Sequence, residues 1–160
     1  LQSLNALFII SLAPVFAWIW LALGKRDPSS PTKFALGLVF VGLGFALLIP
    51  AATIAAAGGK VSPVWLTMTY VCHTIGELCL SPVGLSAMTK LAPPRVTGLM
   101  MGVWFLALSV GNYLGGRLAS LYASLSVPSL FGIVAGFSIA AAVVMAILVR
   151  PTVRLMSGVK

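Results

Sequence analysis

Short polar stretches divide this sequence into five apolar runs, each long enough to cross the hydrocarbon core of a bilayer, which needs about 20 apolar residues. Of its 160 residues, 60% are hydrophobic and only 8% are charged. The surface of a water-soluble domain cannot accommodate that composition. The sequence therefore predicts an all-α, polytopic membrane helix bundle with five transmembrane helices, over Ser3–Leu23, Phe34–Ala57, Pro63–Leu91, Val96–Tyr122 and Ser129–Val149.

Basic residues are distributed unequally between the two sides of this predicted bundle. One side has Lys60, and also Arg117 if the end of the fourth run is counted with it. The other side has eight, namely Lys25, Arg26, Lys33, Lys90, Arg95, Arg150, Arg154 and Lys160. The positive-inside rule then places the carboxyl terminus in the cytoplasm of a plasma or inner membrane. Because these charges are scattered over short loops and form no patch, a nucleic-acid partner is not expected.

Glu77 is one of only two acidic residues and lies near the middle of the third run. A carboxylate at this depth costs roughly a few kcal/mol, so it faces a bundle interior or a watery cavity and avoids lipid. Because removal from water favours the protonated form of a carboxyl group, Glu77 is a candidate proton carrier. The alternative is a structural residue bonded to a neighbouring helix. The other acid, Asp27, lies in the polar loop Gly24–Lys33.

Polar residues at helical spacing predict one wet or hydrogen-bonded face around Glu77. Steps of three or four residues place on that stripe Tyr70, His73 or Thr74, Glu77, Ser81, Gly84 and Met88. His73 is close enough to contact Glu77, either as a packing residue or as a proton relay. Pro82 leaves a backbone carbonyl unbonded, so the helix can bend or open just past Glu77, where transporters keep irregular backbone beside a cavity.

Two further residues are candidates for a site inside the bundle. Asn5 in the first run should point inward, because an unpaired amide in lipid is costly, and it can contact a ligand or another helix. Trp104 lies deeper in the fourth run than an interfacial belt would place it, so it lines a pocket or packs between helices. Glycines spaced four apart, as in Gly111–Gly115 and Gly132–Gly136, favour close helix packing.

Metal, disulfide and enzyme chemistry have little support in the sequence. The chain has one histidine and no CxxC pair, so no metal site is predicted. Cys72 and Cys79 would be about 10 Å apart along a straight helix, too far for a disulfide. There is no HExxH or GxSxG motif and no arranged triad, so an enzyme with catalytic residues is not expected.

Two segments resemble the proton-dependent oligopeptide transporter family, a branch of the major facilitator superfamily. They are GELCLSPVGLSAMTKLAP, Gly76–Pro93, and MMGVWFLALSVGNYLGG, Met100–Gly116. The first run, Gln2–Trp20, is similar to the eighth helix of that family, and the resemblance covers essentially the whole chain. It implies helices 8–12 of a twelve-helix fold, so that residues 1–160 are a partial carboxyl-terminal bundle without the amino-terminal bundle and helix 7.

The resemblance also implies a function and a site. It implies proton-coupled symport of di- and tripeptides by alternating access, with protons as coupling ion and no other cofactor. Glu77 matches the family glutamate that binds the peptide amino group and couples to protonation, and Ser81 follows it by one turn. Asn5 and Trp104 match an asparagine near the peptide amino terminus and a tryptophan that shapes a side-chain pocket. The expected partners are peptides, protons, membrane lipid and the missing amino-terminal half of the same transporter.

Two other functions remain open on the residues alone. A related carrier could move another small solute on the same scaffold, and substrate competition would separate it from a peptide transporter. A nontransporting membrane subunit could use Glu77 and His73 only to hold helices together. Replacing Glu77 by Gln would then alter assembly without a coupling defect.

Overall fold

A computed structural model describes residues 2–120 and 124–156, and within these ranges the chain is helical and contains no strand. Its long helices are α1 (Gln2–Leu23), α2 (Ser30–Ala56), α3 (Val64–Leu91), α4 (Thr97–Ser120) and α5 (Val127–Leu155), with a short 3₁₀ helix at Gly24–Arg26. All five are long and apolar enough to cross a membrane. The predicted all-α bundle of five membrane-spanning helices is confirmed.

Proline and glycine mark several helix ends. Pro31 and Pro128 lie in the first turns of α2 and α5, where a missing backbone N–H costs no helical hydrogen bond. Gly58, just after α2, has φ of +78°, a left-handed conformation that glycine adopts without strain. Helix α1 continues through Pro14, and α3 continues through Pro82.

The start of α2 differs from the prediction. The helix begins at Ser30, whereas the sequence predicted a start at Phe34 after a polar loop. Lys33 therefore lies in the first turn of α2, and it is only 8% exposed. Its Nζ is 2.8 Å from Asp27 Oδ2 and 4.4 Å from the centre of the Trp20 ring. A lysine with these partners can be helical and buried, although its charge suggested a loop.

The end of α5 also differs from the prediction. The helix continues to Leu155, past the predicted end at Val149 and through Pro151. Two arginines ended the apolar run in the sequence, but a helix can continue beyond the bilayer core with its backbone hydrogen bonds intact. The start of α4 differs by one residue from the predicted Val96. The predicted end of that span, Tyr122, lies outside the described residues.

Helix α2 is packed between α5 and α3, and α3 also contacts α1 and α4. The α2–α3 contact is close because Gly37 and Gly76 face each other. A Cβ added to either glycine would lie 2.9 Å from the carbonyl oxygen of the other. This close approach fixes α3, with its polar stripe, beside the centre of the bundle.

The two predicted glycine patterns do not mark close contacts in the described part of the chain. A Cβ added at Gly111, Gly115 or Gly136 would have no neighbouring atom within 4 Å among the described residues. One added at Gly132 would have only Ile49 as a neighbour, at 4.0 Å. Helix α4 has no buried residue among those described. The close contacts are made instead by glycines outside those patterns.

Candidate functional site

The polar face of α3 opens into a cleft beside α1. This cleft has a volume of about 530 Å³ and is lined by Asn5, Tyr70, His73 and Glu77. Asn5 comes from α1 and the other three from successive turns of α3. The packing of α1 on α3 thus brings together Asn5 and Glu77, which lie 72 residues apart in the sequence.

A chain of two hydrogen bonds connects α3 to α1 and back to α3. The Thr74 hydroxyl Oγ1 donates to Asn5 Oδ1 at 2.8 Å. The same amide then donates from Nδ2 to Glu77 Oε2 at 3.3 Å, a distance at the long end for such a bond. Thr74 is completely buried, whereas the Glu77 side chain is exposed to the cleft. The accepting oxygen of the Asn5 amide therefore faces a donor, and its donating nitrogen faces an acceptor.

Thr74 is a site residue that the sequence indicated only weakly. It lies three residues before Glu77, so helical spacing placed it on the polar stripe as an alternative to His73. The structure separates the two, because Thr74 bonds to α1 and His73 points to α2. Only the packing of α1 against α3, which is not visible in the sequence, distinguishes them.

His73 is packed against α2. Its ring centre is 4.6 Å from that of Phe45, and it occupies the space that a side chain at Gly44 would need. Its buried Nε2 has no hydrogen-bond partner among the described residues. This arrangement corresponds to the packing alternative, while the imidazole still lines the cleft that contains Glu77.

The two acids of the chain have different electrostatic surroundings. Among residues 2–120 and 124–156, the ion pair found is Lys33–Asp27, and Glu77 has no cation within salt-bridge distance. The nearest polar contact of Glu77 that can compensate a negative charge is the Asn5 amide. A balancing positive charge must therefore come from a proton, from a ligand or from a group outside the described residues.

Ser81 and Trp104 extend the site along α3. Ser81 is exposed one turn after Glu77. Trp104 of α4 covers Gly84, where an added Cβ would overlap its ring, and it meets Phe34 edge-on at a centroid distance of 6.3 Å. Gly84 follows Glu77 by seven residues, about 10 Å along the helix. Trp104 is thus on the same side of α3 but outside the lining of the cleft.

The described residues contain no cluster of side chains suited to a metal ion. No group of three or more His, Cys, Asp or Glu side chains there could hold a metal ion. Cys72 and Cys79 are both free thiols. The chemically distinctive feature that remains is the exposed carboxyl of Glu77 with its amide partner.

Comparison with known proteins gives consistent matches over most of the chain. The sequence model of one family, described as the POT family, matches residues 1–134. The peptide transporter YePEPT of Yersinia enterocolitica is 45% identical over 165 residues, covering 98% of this chain and 32% of the relative. A di-/tripeptide transporter of Lactococcus lactis is 35% identical over 159 residues, covering 99% and 32%.

A solved structure agrees at the level of the fold. The crystal structure of a POT family transporter in complex with 5-aminolevulinic acid matches with a TM-score of 0.87 and 35% identity. The match covers 94% of this chain and 31% of that one. The chain spans about a third of the length of the curated relatives that it matches.

Proposed function

Because the chain belongs to the POT family, we propose that it is the carboxyl-terminal part of a transporter that carries out proton-coupled symport of di- and tripeptides by alternating access. The names of its relatives support this proposal, since they include a peptide transporter and a di-/tripeptide transporter. The remaining two thirds of such a transporter would supply the amino-terminal bundle and helix 7. Its other partners are peptides, protons as the coupling ion, and membrane lipid.

The observation that carries the proposal is the Glu77 carboxyl, exposed in a cleft and without a cation among the described residues. A carboxylate in such a place can bind either the ammonium group of a peptide or a proton. The ammonium group of a peptide and a proton then compete for the Glu77 carboxylate or share it. This links substrate binding to protonation. Binding and release of a proton or of the ammonium group of a peptide need no catalytic residue, which supports a carrier.

The neighbouring residues have roles that follow from their positions. Asn5 donates to Glu77 with one N–H of its amide, and its second N–H can donate to the first carbonyl oxygen of the peptide, next to the ammonium group that Glu77 binds. Ser81 offers a hydroxyl to the same end of the substrate one turn away. Trp104, about two turns from Glu77, forms the apolar wall for a substrate side chain.

The membrane orientation is part of the same proposal. The basic connections lie on the cytoplasmic side of the cell membrane, and so does the carboxyl terminus. One cavity is lined by Trp20 at the end of α1, Ser30 at the start of α2 and Lys90 at the end of α3. These three ends are therefore on one side, as the charge distribution requires.

A related carrier for another small solute is the second candidate. The observation that favours it is the similar transporter structure with 5-aminolevulinic acid, a ligand that has an amino group but is not a peptide. Glu77 would bind the amino group of either ligand. Inhibition of labelled dialanine uptake by 5-aminolevulinic acid and by small peptides would rank the two substrate classes.

The test uses the full-length protein in proteoliposomes. We expect wild-type protein to accumulate labelled dialanine under an inward proton gradient and to exchange it in counterflow without a gradient. Glu77→Gln keeps the size of the side chain but cannot ionise, so accumulation should fall to equal concentrations on both sides. Counterflow should persist with a higher KM for dialanine, because the amide oxygen of Gln still accepts a hydrogen bond from the ammonium group but attracts it less than a carboxylate does. Thr89→Val is a control on the same helix, because the Thr89 hydroxyl bonds only to carbonyls of its own helix.

Three results would contradict this function. Gradient-driven accumulation by Glu77→Gln would remove Glu77 from the coupling site. Active wild-type protein that neither transports dialanine nor is inhibited by small peptides would favour the carrier for another solute. Loss of assembly in Glu77→Gln, in a protein that transports nothing, would favour a nontransporting subunit.

A further inference from the structure

Thr74 differs from most hydroxyl residues of this bundle in the bond that it makes. Hydroxyls such as those of Ser11, Thr89 and Ser109 donate to a carbonyl of their own helix, three or four residues earlier. The Thr74 hydroxyl crosses from α3 to α1 and donates to a side chain, Asn5. It is also completely buried, so water cannot replace this bond.

The partner of Thr74 is the amide that contacts Glu77. An amide has one end that accepts and one that donates, so its usefulness to a carboxyl group depends on which end faces that group. With Oδ1 held by Thr74, the donating Nδ2 faces Glu77 Oε2, as suits an ionised carboxylate. Thr74, Asn5 and Glu77 therefore form one connected unit.

A hydroxyl suits this unit for a further reason. If Glu77 takes up a proton, its carboxyl becomes a donor and can bond to Oδ1 of Asn5 once the amide has turned. The Thr74 hydroxyl can then accept from Nδ2, since a hydroxyl both donates and accepts. An apolar side chain at this position would leave one end of the amide unpartnered in either state.

We propose that Thr74 is a positioning residue of the transport site, whose buried hydroxyl holds the Asn5 amide against Glu77 in both protonation states. This inference rests on the proposed function. Thr74 does not contact the substrate and acts on transport through Asn5. Removing its hydroxyl should therefore weaken substrate binding without disrupting the fold.

The experiment compares three variants of the full-length protein in proteoliposomes. Thr74→Val has nearly the same shape but no hydroxyl, and we expect it to raise the KM for dialanine about threefold to tenfold, the equivalent of one hydrogen bond. Thr74→Ser keeps the hydroxyl and should stay near the wild-type KM. Thr69→Val is the matched control, because Thr69 is also buried and bonds across helices, but to the backbone of Gly44 on α2.

A double-mutant cycle separates positioning from general destabilisation. In an Asn5→Ala protein, Thr74→Val should change the KM no further, because the amide through which Thr74 acts is gone. Thr69→Val should lower the melting temperature in detergent but leave the KM unchanged. Together these results would support a role of Thr74 in the site itself.

Several outcomes would overturn the inference. They are a wild-type KM in Thr74→Val, a Thr74→Ser protein as impaired as Thr74→Val, or additive effects of Thr74→Val and Asn5→Ala. If Thr74→Val does not fold, Thr74→Ala replaces it, and failure of both to fold would make the role of Thr74 structural. Wild-type protein without dialanine uptake would instead contradict the proposed function, whereas uptake that Thr74→Val leaves intact contradicts only this inference.

Discussion

At the scale of single residues, the two acids of the chain solve the problem of a carboxylate in a membrane protein differently. Asp27 pairs with Lys33, and this lysine also packs over the Trp20 ring. Glu77 bonds to the Asn5 amide and pairs with no cation in the part of the chain that the structure describes. The Asp27 carboxylate is already paired and has a structural role, whereas the Glu77 carboxyl can still bind a positive charge.

The Lys33–Asp27 pair should therefore contribute to stability. In Lys33→Met the carboxyl of Asp27 loses its ion pair at a half-buried position, and we expect a cost of about 2 kcal/mol, typical of a hydrogen bond to a charged group. The melting temperature in detergent should fall, and adding Asp27→Asn should recover part of the loss. Lys60→Met, which removes an exposed lysine, is the control. Equal melting temperatures of the Lys33 and Lys60 variants would contradict this prediction.

At the scale of helices, the site depends on how close α3 lies to α2. The facing glycines Gly37 and Gly76 permit backbone contact there, and Gly84 leaves room for the Trp104 ring. Two of these three glycines are on α3, the helix that also holds Glu77 and Thr74. Packing and site geometry are therefore properties of the same helix.

Replacing Gly76 should consequently be costly. In Gly76→Ala the added methyl group would lie 2.9 Å from the Gly37 carbonyl oxygen and 2.8 Å from Val41, so the helices must separate. We expect a loss of about 1–3 kcal/mol, as in other overpacked interiors. It would appear as a lower melting temperature in detergent. Gly136→Ala in α5, where the new methyl group meets open space among the described residues, should be neutral. A similar loss in both variants would contradict the packing argument.

The number and type of the helices could be predicted from the sequence because apolar runs of this length have one stable form in a bilayer. The start of α2 could not, because the burial of Lys33 depends on Asp27 and Trp20, which approach it only after folding. The end of α5 was missed because hydropathy measures the bilayer core and the helix continues beyond it. Glu77 was identified from its isolation, but its contact with Asn5 and the role of Thr74 depend on the packing of α1 against α3.

At the scale of the whole molecule, the helices alternate in direction, and the ends that carry most basic residues lie together. The cavity next to Lys33 includes both Trp20 and Lys90. A second cavity is lined by Thr32 at the start of α2 and Arg150 near the end of α5. The basic-rich connections and the last turns of α5 therefore share one side of the bundle.

Labelling of single cysteines would test the proposed orientation. In a protein with Cys72 and Cys79 replaced by alanine, we expect Lys60→Cys to react with a membrane-impermeant maleimide in intact cells. Pro94→Cys, at an exposed position between α3 and α4, should react only after permeabilisation. The Lys60 change removes a positive charge from the outer side and so cannot itself reverse the orientation. The opposite labelling pattern would invert the topology.

The burial of Lys33 has a consequence for the biogenesis of the chain. Orientation is decided while helices enter the bilayer, when Lys and Arg in short loops count and acidic residues contribute little. We expect Lys33 to act as an orientation signal at that stage. Its contact with Trp20 forms only when the end of α1 and the start of α2 have come together across their connection, and the carboxylate of Asp27 then balances the same charge. On this orientation, one lysine contributes first to the insertion of the chain and later to the stability of the folded bundle.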